Sequence, residues 1–330
     1  EEAMREAMAL SQMAASHLVH LYMMALPDYY GFGSTADMLP HYREEMTRFN
    51  RLKQAVNGVT AELGGRALHP VAMTVAGFTR PPARSALEKL AAGLAAVREG
   101  ARQTLEMIAA LEVPSLHNRA EFVALDTAGE YALNHGRLVS GRGLDVAEEE
   151  YPAAMTEEQV DYANAKRALL RDGGALMVGA LARMNLRSGR LHPAAKKAAA
   201  EVGFTVPEHN PFCNNLAQAV EIIHCIHACI EVLETLPEGR PWLDIAARAG
   251  RGSALTEAPR GLLYHSYALN GRGEVEEADI VTPTAHNFRG LEDNLRRLIE
   301  TNIDAPLAEI SLQCEQLVRA YDPCFSCSVH

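Results

Sequence analysis

The sequence predicts a mainly α protein of the α+β class: a large helical bundle with a small β portion inserted before the last helices. Three observations carry this. Long stretches repeat apolar residues at the three-to-four spacing of a helix. Tryptophan occurs once while Ala, Leu and Met are plentiful, which favours helix over sheet. One strong hairpin signal, Asn270-Gly271-Arg272-Gly273, stands between two apolar runs near the C-terminal end. At 330 residues, 48% hydrophobic and 22% charged, the chain can bury a large core. Length alone suggests about two domains or one large interlocked one; it is read as one domain over residues 1–330, with the hairpin at about 262–281.

Residues 1–26 carry Met4, Met8, Ala15, Leu18, Leu21, Tyr22 and Leu26 near helical spacing, and Pro27-Asp28 ends the run. No capping residue precedes that pattern, so sequence is expected upstream of Glu1. A second helix is predicted over 37–63, with Pro40 in its first turn and Gly64-Gly65 as its stop. Residues 66–82 read as loop with a short strand, and 83–111 as one long amphipathic helix. Short strands are predicted around 122–125 and 137–139, then a helix over 156–170 and a turn at Asp172-Gly173-Gly174. A short helix follows over 192–202, and 210–236 is the most apolar helix of all. Residues 262–269 and 275–281 form the hairpin, and helices over 288–300 and 306–319 deliver the chain to Asp322.

Composition excludes several classes. The net charge is −11 and no basic stripe is present, which argues against a nucleic-acid surface. No uninterrupted apolar run of about 20 residues occurs, so no membrane span is expected. The first residues lack the basic and apolar regions of a signal peptide. Six cysteines in such a chain read as reduced thiols or metal ligands rather than a disulfide framework.

The chemistry concentrates at the end. Cys324-x-x-Cys327-x-x-His330 is a soft-ligand cluster: two thiolates three apart can share a metal, and an imidazole extends the site. A structural zinc site would need further ligands, and a thioredoxin-like pair would need a βαβ context that is missing upstream. Cys213, Cys225, Cys229 and Cys314 lie on apolar helices and read as buried, inert thiols. In Glu257-Ala258-Pro259-Arg260-Gly261, Arg260 follows a proline in a glycine-flanked turn. Its fork of donors could face an anion or a reacting centre, or could be a salt-bridged turn arginine. Thr284, in Val281-Thr282-Pro283-Thr284-Ala285-His286-Asn287, could offer a hydroxyl or cap the next helix. His17 and His20 lie one turn apart on one helix face, as a metal pair or as core histidines beside polar neighbours.

The ending, from Tyr321-Asp322-Pro323-Cys324 through Cys327 to His330, resembles the C-terminal DPCxxCxxH motif of NiFe-hydrogenase large subunits. Other segments follow in that family's order. Ser16-His17-Leu18-Val19-His20 is similar to its S/D-HxxH helix, and Gly64-Gly65-Arg66 with His69-Pro70 to its GGRxxHP loop. Residues 178–183 resemble VGPLAR, 257–261 resemble EAPRG, and 281–287 resemble the VPTxxN turn. The likeness covers essentially the whole chain and is closest to the cytoplasmic, multimeric types. One departure stands out: the family's N-terminal RxCGxC has no counterpart here, and Glu1 is expected to follow it.

The resemblance implies a catalytic subunit that cleaves dihydrogen heterolytically at a Ni–Fe centre whose iron carries CO and cyanide. Cys324 is implied as a terminal nickel ligand and Cys327 as a thiolate bridging both metals. His330 and the backbone carbonyl of Ile280 are implied as ligands of Mg2+ or a similar divalent ion. Arg260 would stand over the open face of the centre with Asp322 as its partner, and Pro259 and Thr284 would lie near the diatomic ligands. At Ser16 some relatives carry aspartate. In that family the precursor is cut just after the final histidine, which would make His330 a processed end. Electrons would leave through an iron–sulfur small subunit, and then through further electron-transfer subunits, across an apolar interface. The Met-rich first helix would join that interface or serve as core. Two other readings are a non-catalytic relative like the related subunit of respiratory complex I, and a helical protein with a structural zinc or thiol site.

Overall fold

The structure, a computed structural model, describes residues 1–237 and 245–324. Helix α1 (Glu2–Val19) runs through a π-helical turn at His20–Ala25 into α2 (Leu26–Tyr29). Next come α3 (Thr35–Met38) and α4 (Arg43–Gly64). The single helix expected over 37–63 is thus broken around Pro40, which has no N–H to continue the ladder. Gly65 closes α4 in a left-handed conformation at φ +84°. A minimal hairpin, β1 (Met73–Thr74) and β2 (Gly77–Phe78), follows. The long helix expected over 83–111 is α5 (Arg84–Ala95) and α6 (Arg98–Ala109). Between them the Val97 amide bonds back to the Leu94 carbonyl, a tightened turn that interrupts the α-helical ladder.

The middle of the chain supplies strands β3 (Glu121–Asp126), β4 (Arg137–Ser140) and β5 (Asp145–Val146), where the first two were expected. Then come α7 (Tyr151–Ala154), β6 (Met155–Glu158), β7 (Arg167–Leu170), β8 (Leu176–Met177), α8 (Ala180–Arg187) and α9 (Pro193–Glu201). The helix expected over 156–170 does not form. Its residues pair as the antiparallel β6–β7 hairpin, Met155 opposite Leu170 and Glu158 opposite Arg167. All of β7 is buried, and Arg167 pairs with Glu158 at 2.8 Å and Glu292 at 2.6 Å. Tertiary partners have overridden the local helix preference of Glu157, Glu158 and Gln159.

The rest is α10 (Asn214–Thr235), the strands β9 (Gly250–Ala258), β10 (Gly261–Leu269) and β11 (Val275–Val281), and the helices α11 (Pro283–Thr301) and α12 (Leu307–Ala320). The hairpin stands where Asn270-Gly271 put it, and β9 adds a third strand along the full length of β10. The described residues therefore form an α+β fold whose strands make four sheets, more β structure than the one hairpin anticipated.

The chain divides into two compact units. The first, built from residues 1–111, 191–204 and 218–246, is helical. Met4, Met8 and Met13 are buried in its core with Leu18, Leu52, Val56 and Leu233, while Met24 is exposed. So three of the helix's methionines serve as core. The second comprises residues 112–190, 205–217 and the segment from Ala247 onward. Its core joins the sheet β5-β4-β3-β8, the sheet β11-β10-β9 and α11 through Val123, Leu125, Leu138, Tyr151, Leu255 and Tyr264. The segment Pro211–Thr235 is long and apolar enough to cross a membrane, but 72% of its 18-residue apolar window is buried in the fold. It also carries buried Gln218, Glu221 and His224, which suits a core helix.

Candidate metal centre

Three backbone segments of the second unit converge where the chain approaches Cys324. The first is the tight turn between β9 and β10, in which Ala258 pairs with Gly261 and Arg260 occupies the tip. Gly261 sits at φ +125°, and a Cβ there would collide with the Val178 side chain and lie 2.7 Å from the Gly179 amide. Gly179, at φ +106°, faces the Arg260 carbonyl, where a Cβ would stand at 3.1 Å. Both glycines let the turn press against residues 178–179.

The second segment is the start of α11. The Thr282 hydroxyl caps it by accepting the Ala285 amide at 3.4 Å, with Pro283 in the first turn. Thr284 is therefore not needed as the cap, and its hydroxyl instead accepts the Cys324 amide at 2.9 Å. One turn on, the Asn287 side chain reads both polar groups of Val178, accepting its N–H at 2.8 Å and donating to its carbonyl at 3.3 Å.

The third segment is the end of α12. Asn214 ties it to α8, donating to the Ala320 carbonyl at 2.7 Å and accepting the Leu181 amide at 2.8 Å. Tyr321 is buried and accepts from Asn294 at 2.7 Å. Asp322 then adopts φ +50°, a left-handed conformation that costs a non-glycine residue about 1 kcal/mol and that Asp tolerates better than most. The turn aims its carboxylate at Arg260, Oδ1 to Nη2 at 3.0 Å. Asp322 is only 4% exposed and the Arg260 side chain 32%. Beside this pair lies a cavity of about 260 Å3 whose other walls include Ala165, Phe288, Leu291 and Val318.

Of the residues picked out from sequence, the structure thus brings Arg260, Asp322, Thr284 and Cys324 together. Pro259 precedes Arg260 in the turn and offers its carbonyl to Arg183 at 3.2 Å. Ile280 lies on β11 opposite His265, with its side chain exposed. Cys327 and His330 lie outside the described residues, and among those described no three His, Cys, Asp or Glu side chains could hold a metal ion. His17 and His20 are buried in the first unit and have polar partners: Nε2 of His17 is 2.7 Å from Glu221 and Nδ1 of His20 is 2.6 Å from Gln218. Cys225 and Cys229 are buried, with burial pushing the Cys229 thiol up to about 12, whereas Cys213 and Cys314 are only half-buried.

Two residues in the site were not anticipated. Arg183 is 1% exposed and pairs with Glu257, also buried, at 2.8 Å. The sequence showed Arg183 as a charge at the end of an apolar run, which can be buried only with a partner, but nothing in it named Glu257 as that partner. Cys324 stands in a disulfide in the structure rather than as the reduced thiol expected from the sequence; once reduced it would supply one soft thiolate ligand, on a backbone fixed by Thr284 and with the cation of Arg260 on the adjoining turn.

Comparison with known proteins agrees with this chemistry. The family profile described as nickel-dependent hydrogenase matches residues 172–330, which hold all three converging segments. Sulfhydrogenase 1 subunit alpha of Pyrococcus furiosus is 34% identical across 100% of this chain and 78% of its own length. The chain belongs to the nickel-dependent hydrogenase family. It is a catalytic large subunit of a NiFe-hydrogenase, an oxidoreductase acting on H2. Sulfhydrogenase 2 subunit alpha of the same organism is 30% identical over the same shares. The fold of this hydrogenase subunit matches that of an NAD+-reducing NiFe-hydrogenase in its H2-reduced state, with a TM-score of 0.86 at 20% identity over 100% of this chain and 80% of that one. It also matches the Ni-Fe-Se hydrogenase of D. vulgaris Hildenborough, with a TM-score of 0.76 at 19% identity over 99% and 82%.

Proposed function

We propose that the Cys324 end, the Arg260 turn and the start of α11 form the H2-cleaving site of this subunit. The observation that carries the proposal is the Arg260–Asp322 ion pair beside Cys324, whose amide is held by Thr284. Cys324 and Cys327 would supply half of the thiolates that hold the Ni–Fe centre, the other pair coming from the family's N-terminal RxCGxC segment, which these 330 residues do not contain; the iron would carry CO and cyanide, and His330 with the Ile280 carbonyl would hold Mg2+. The bound centre supplies the polarisation that an uncharged, nearly dipole-free substrate cannot obtain from side chains.

The protein groups do the rest. The apolar walls of the cavity suit a dissolved gas and disfavour water. Asp322 holds the Arg260 guanidinium in one orientation, so that a fixed positive charge faces the reacting centre. Guanidinium is a very weak base, so its main role is positioning. The proton released on cleavage is taken up at Cys324 Sγ, and by Arg260 only if its own proton is displaced. Pro259 and Thr284 shape the pocket for the diatomic ligands.

Electrons would leave to an iron–sulfur small subunit and further subunits in a cytoplasmic assembly. The naming of the relatives as alpha subunits supports such an assembly. The test is a metal analysis with infrared spectroscopy of the purified, assembled enzyme. About one nickel and one iron per chain, with CO and cyanide bands, supports the proposal, as does loss of H2 uptake in Arg260→Lys with its nickel retained. Zinc alone, or full activity in Arg260→Lys, contradicts it.

A further inference from the structure

The buried Arg183–Glu257 pair stands directly behind the Arg260 turn. Glu257 is the last-but-one residue of β9, and its Oε1 accepts the Leu125 amide of β3 at 2.9 Å. Its own amide donates to the Leu133 carbonyl at 2.7 Å. Its other oxygen, Oε2, receives Arg183 Nη1 at 2.8 Å. Arg183 also donates from Nη1 to the Ala258 carbonyl and from Nη2 to the Pro259 carbonyl, each at 3.2 Å. These are the two peptide groups immediately before Arg260. Helix α8, which carries Arg183, is itself held at its start by Asn214 and, through Val178, by Asn287.

Burial of so much charge calls for a reason other than stability. An ion pair of this kind adds little over an apolar pair of the same size. What it offers is direction: a planar fork presents its donors to a carboxylate and two carbonyls at fixed angles, whereas a lysine ammonium is a single point whose three donors rotate freely. We propose that Arg183 and Glu257 are positioning residues that lock the Ala258 and Pro259 peptides, and through them set the aim of the Arg260 guanidinium. The proposal rests on the reading of Arg260 as part of the H2 site. It connects β3, α8 and the turn in one rigid frame, so that Arg260 is aimed from behind by Arg183 and from the side by Asp322.

The test uses Arg183→Lys and Arg260→Lys in the assembled hydrogenase. Nickel per chain, H2-uptake kcat and amide hydrogen exchange are measured together. Arg183→Lys keeps a positive charge beside Glu257 but loses the fork. The expected result is retained nickel, faster exchange confined to residues 255–263, and a kcat lower by roughly 10- to 100-fold, the effect of a misplacement of about 1 Å. Unchanged exchange and kcat overturn the proposal. So does acceleration spread evenly over the second unit, because that marks a purely structural role. If Arg183→Lys takes up no nickel, exchange in the metal-free chain decides by the same two patterns. Arg260→Lys separates the two layers of argument. Impaired Arg260→Lys with normal Arg183→Lys removes the positioning role alone, whereas normal Arg260→Lys removes the site reading and this proposal with it.

Discussion

Replacing Asp322 by Asn isolates the ion pair from everything else at the chain end. Asparagine has the same shape and tolerates the φ of +50° at this position, so no backbone penalty is added. What is lost is the charge facing Arg260 at 3.0 Å. A fully buried charged hydrogen bond contributes about 1.5–3 kcal/mol and a fully exposed ion pair about 0.2–1 kcal/mol. Here one partner is 4% exposed and the other about a third, so the expected loss is between these, about 1–2 kcal/mol. Asp322→Ala should lose about 1 kcal/mol more, because alanine is strained in the left-handed backbone. Urea unfolding of both variants gives these differences. The functional effect should exceed the stability effect: an Arg260 free to swing should lower H2 uptake by roughly 10- to 100-fold at unchanged nickel content. An Asp322→Asn enzyme with wild-type uptake and stability would show that the pair neither orients Arg260 nor stabilises the turn.

Thr284→Val keeps the side-chain shape and leaves the Cys324 amide without its acceptor. It should cost about 1 kcal/mol and speed nickel loss to a chelator; an unchanged off-rate argues against the anchoring role. Gly261→Ala forces a Cβ into Val178 at φ +125° and should destabilise by roughly 2–4 kcal/mol, measured by urea unfolding. A neutral substitution there would mean that the turn and residues 178–179 are not held in close contact. His286, buried with its Nε2 2.7 Å from the Tyr151 hydroxyl, is pushed by burial from 6.5 down to about 4, and burial does the same to His224. The folded chain resists a proton that the unfolded chain accepts. Stability should therefore be complete above pH 6.5 and fall as pH drops towards 4, by up to ~1.4 kcal/mol per pH unit for each histidine. Urea midpoints at pH 7 and pH 5 test this, and His286→Gln should flatten the slope; an identical slope refutes its share.

The local chemistry of this chain is written at its turns. Asn270-Gly271-Arg272-Gly273 marked the hairpin: the Asn270 side chain accepts the Arg272 and Glu274 amides and Gly273 takes φ +79°, while in Pro-Arg-Gly it is Gly261 that takes the positive φ, +125°. Long-range pairing left weaker traces. Strand β9 contains Gly250 and Gly252 and has little apolar alternation, so only its partner β10 reveals it. Residues 156–170 carry helix-forming glutamates yet pair as strands, because burial of Ala168, Leu169 and Leu170 outweighs local preference.

The site was legible where a side chain has few alternatives. A thiol motif at the chain end and a constrained arginine both pointed to chemistry, and the pairing of Arg260 with Asp322 follows from the geometry that the structure adds. Thr284 was ambiguous between cap and ligand-side hydroxyl until Thr282 took the cap. Arg183 and Glu257, 74 residues apart, gave no local sign of meeting. His17 and His20 could have formed a metal pair by spacing alone, and only the folded chain reveals their polar partners Glu221 and Gln218.

The central claim is that the Cys324 end holds the catalytic metals. Its most direct test is nickel content and H2 uptake in the assembled enzyme carrying Cys324→Ser, which exchanges a soft thiolate for a hard hydroxyl in the same place. The account predicts nickel far below one per chain and no uptake. Full nickel with normal uptake would contradict it.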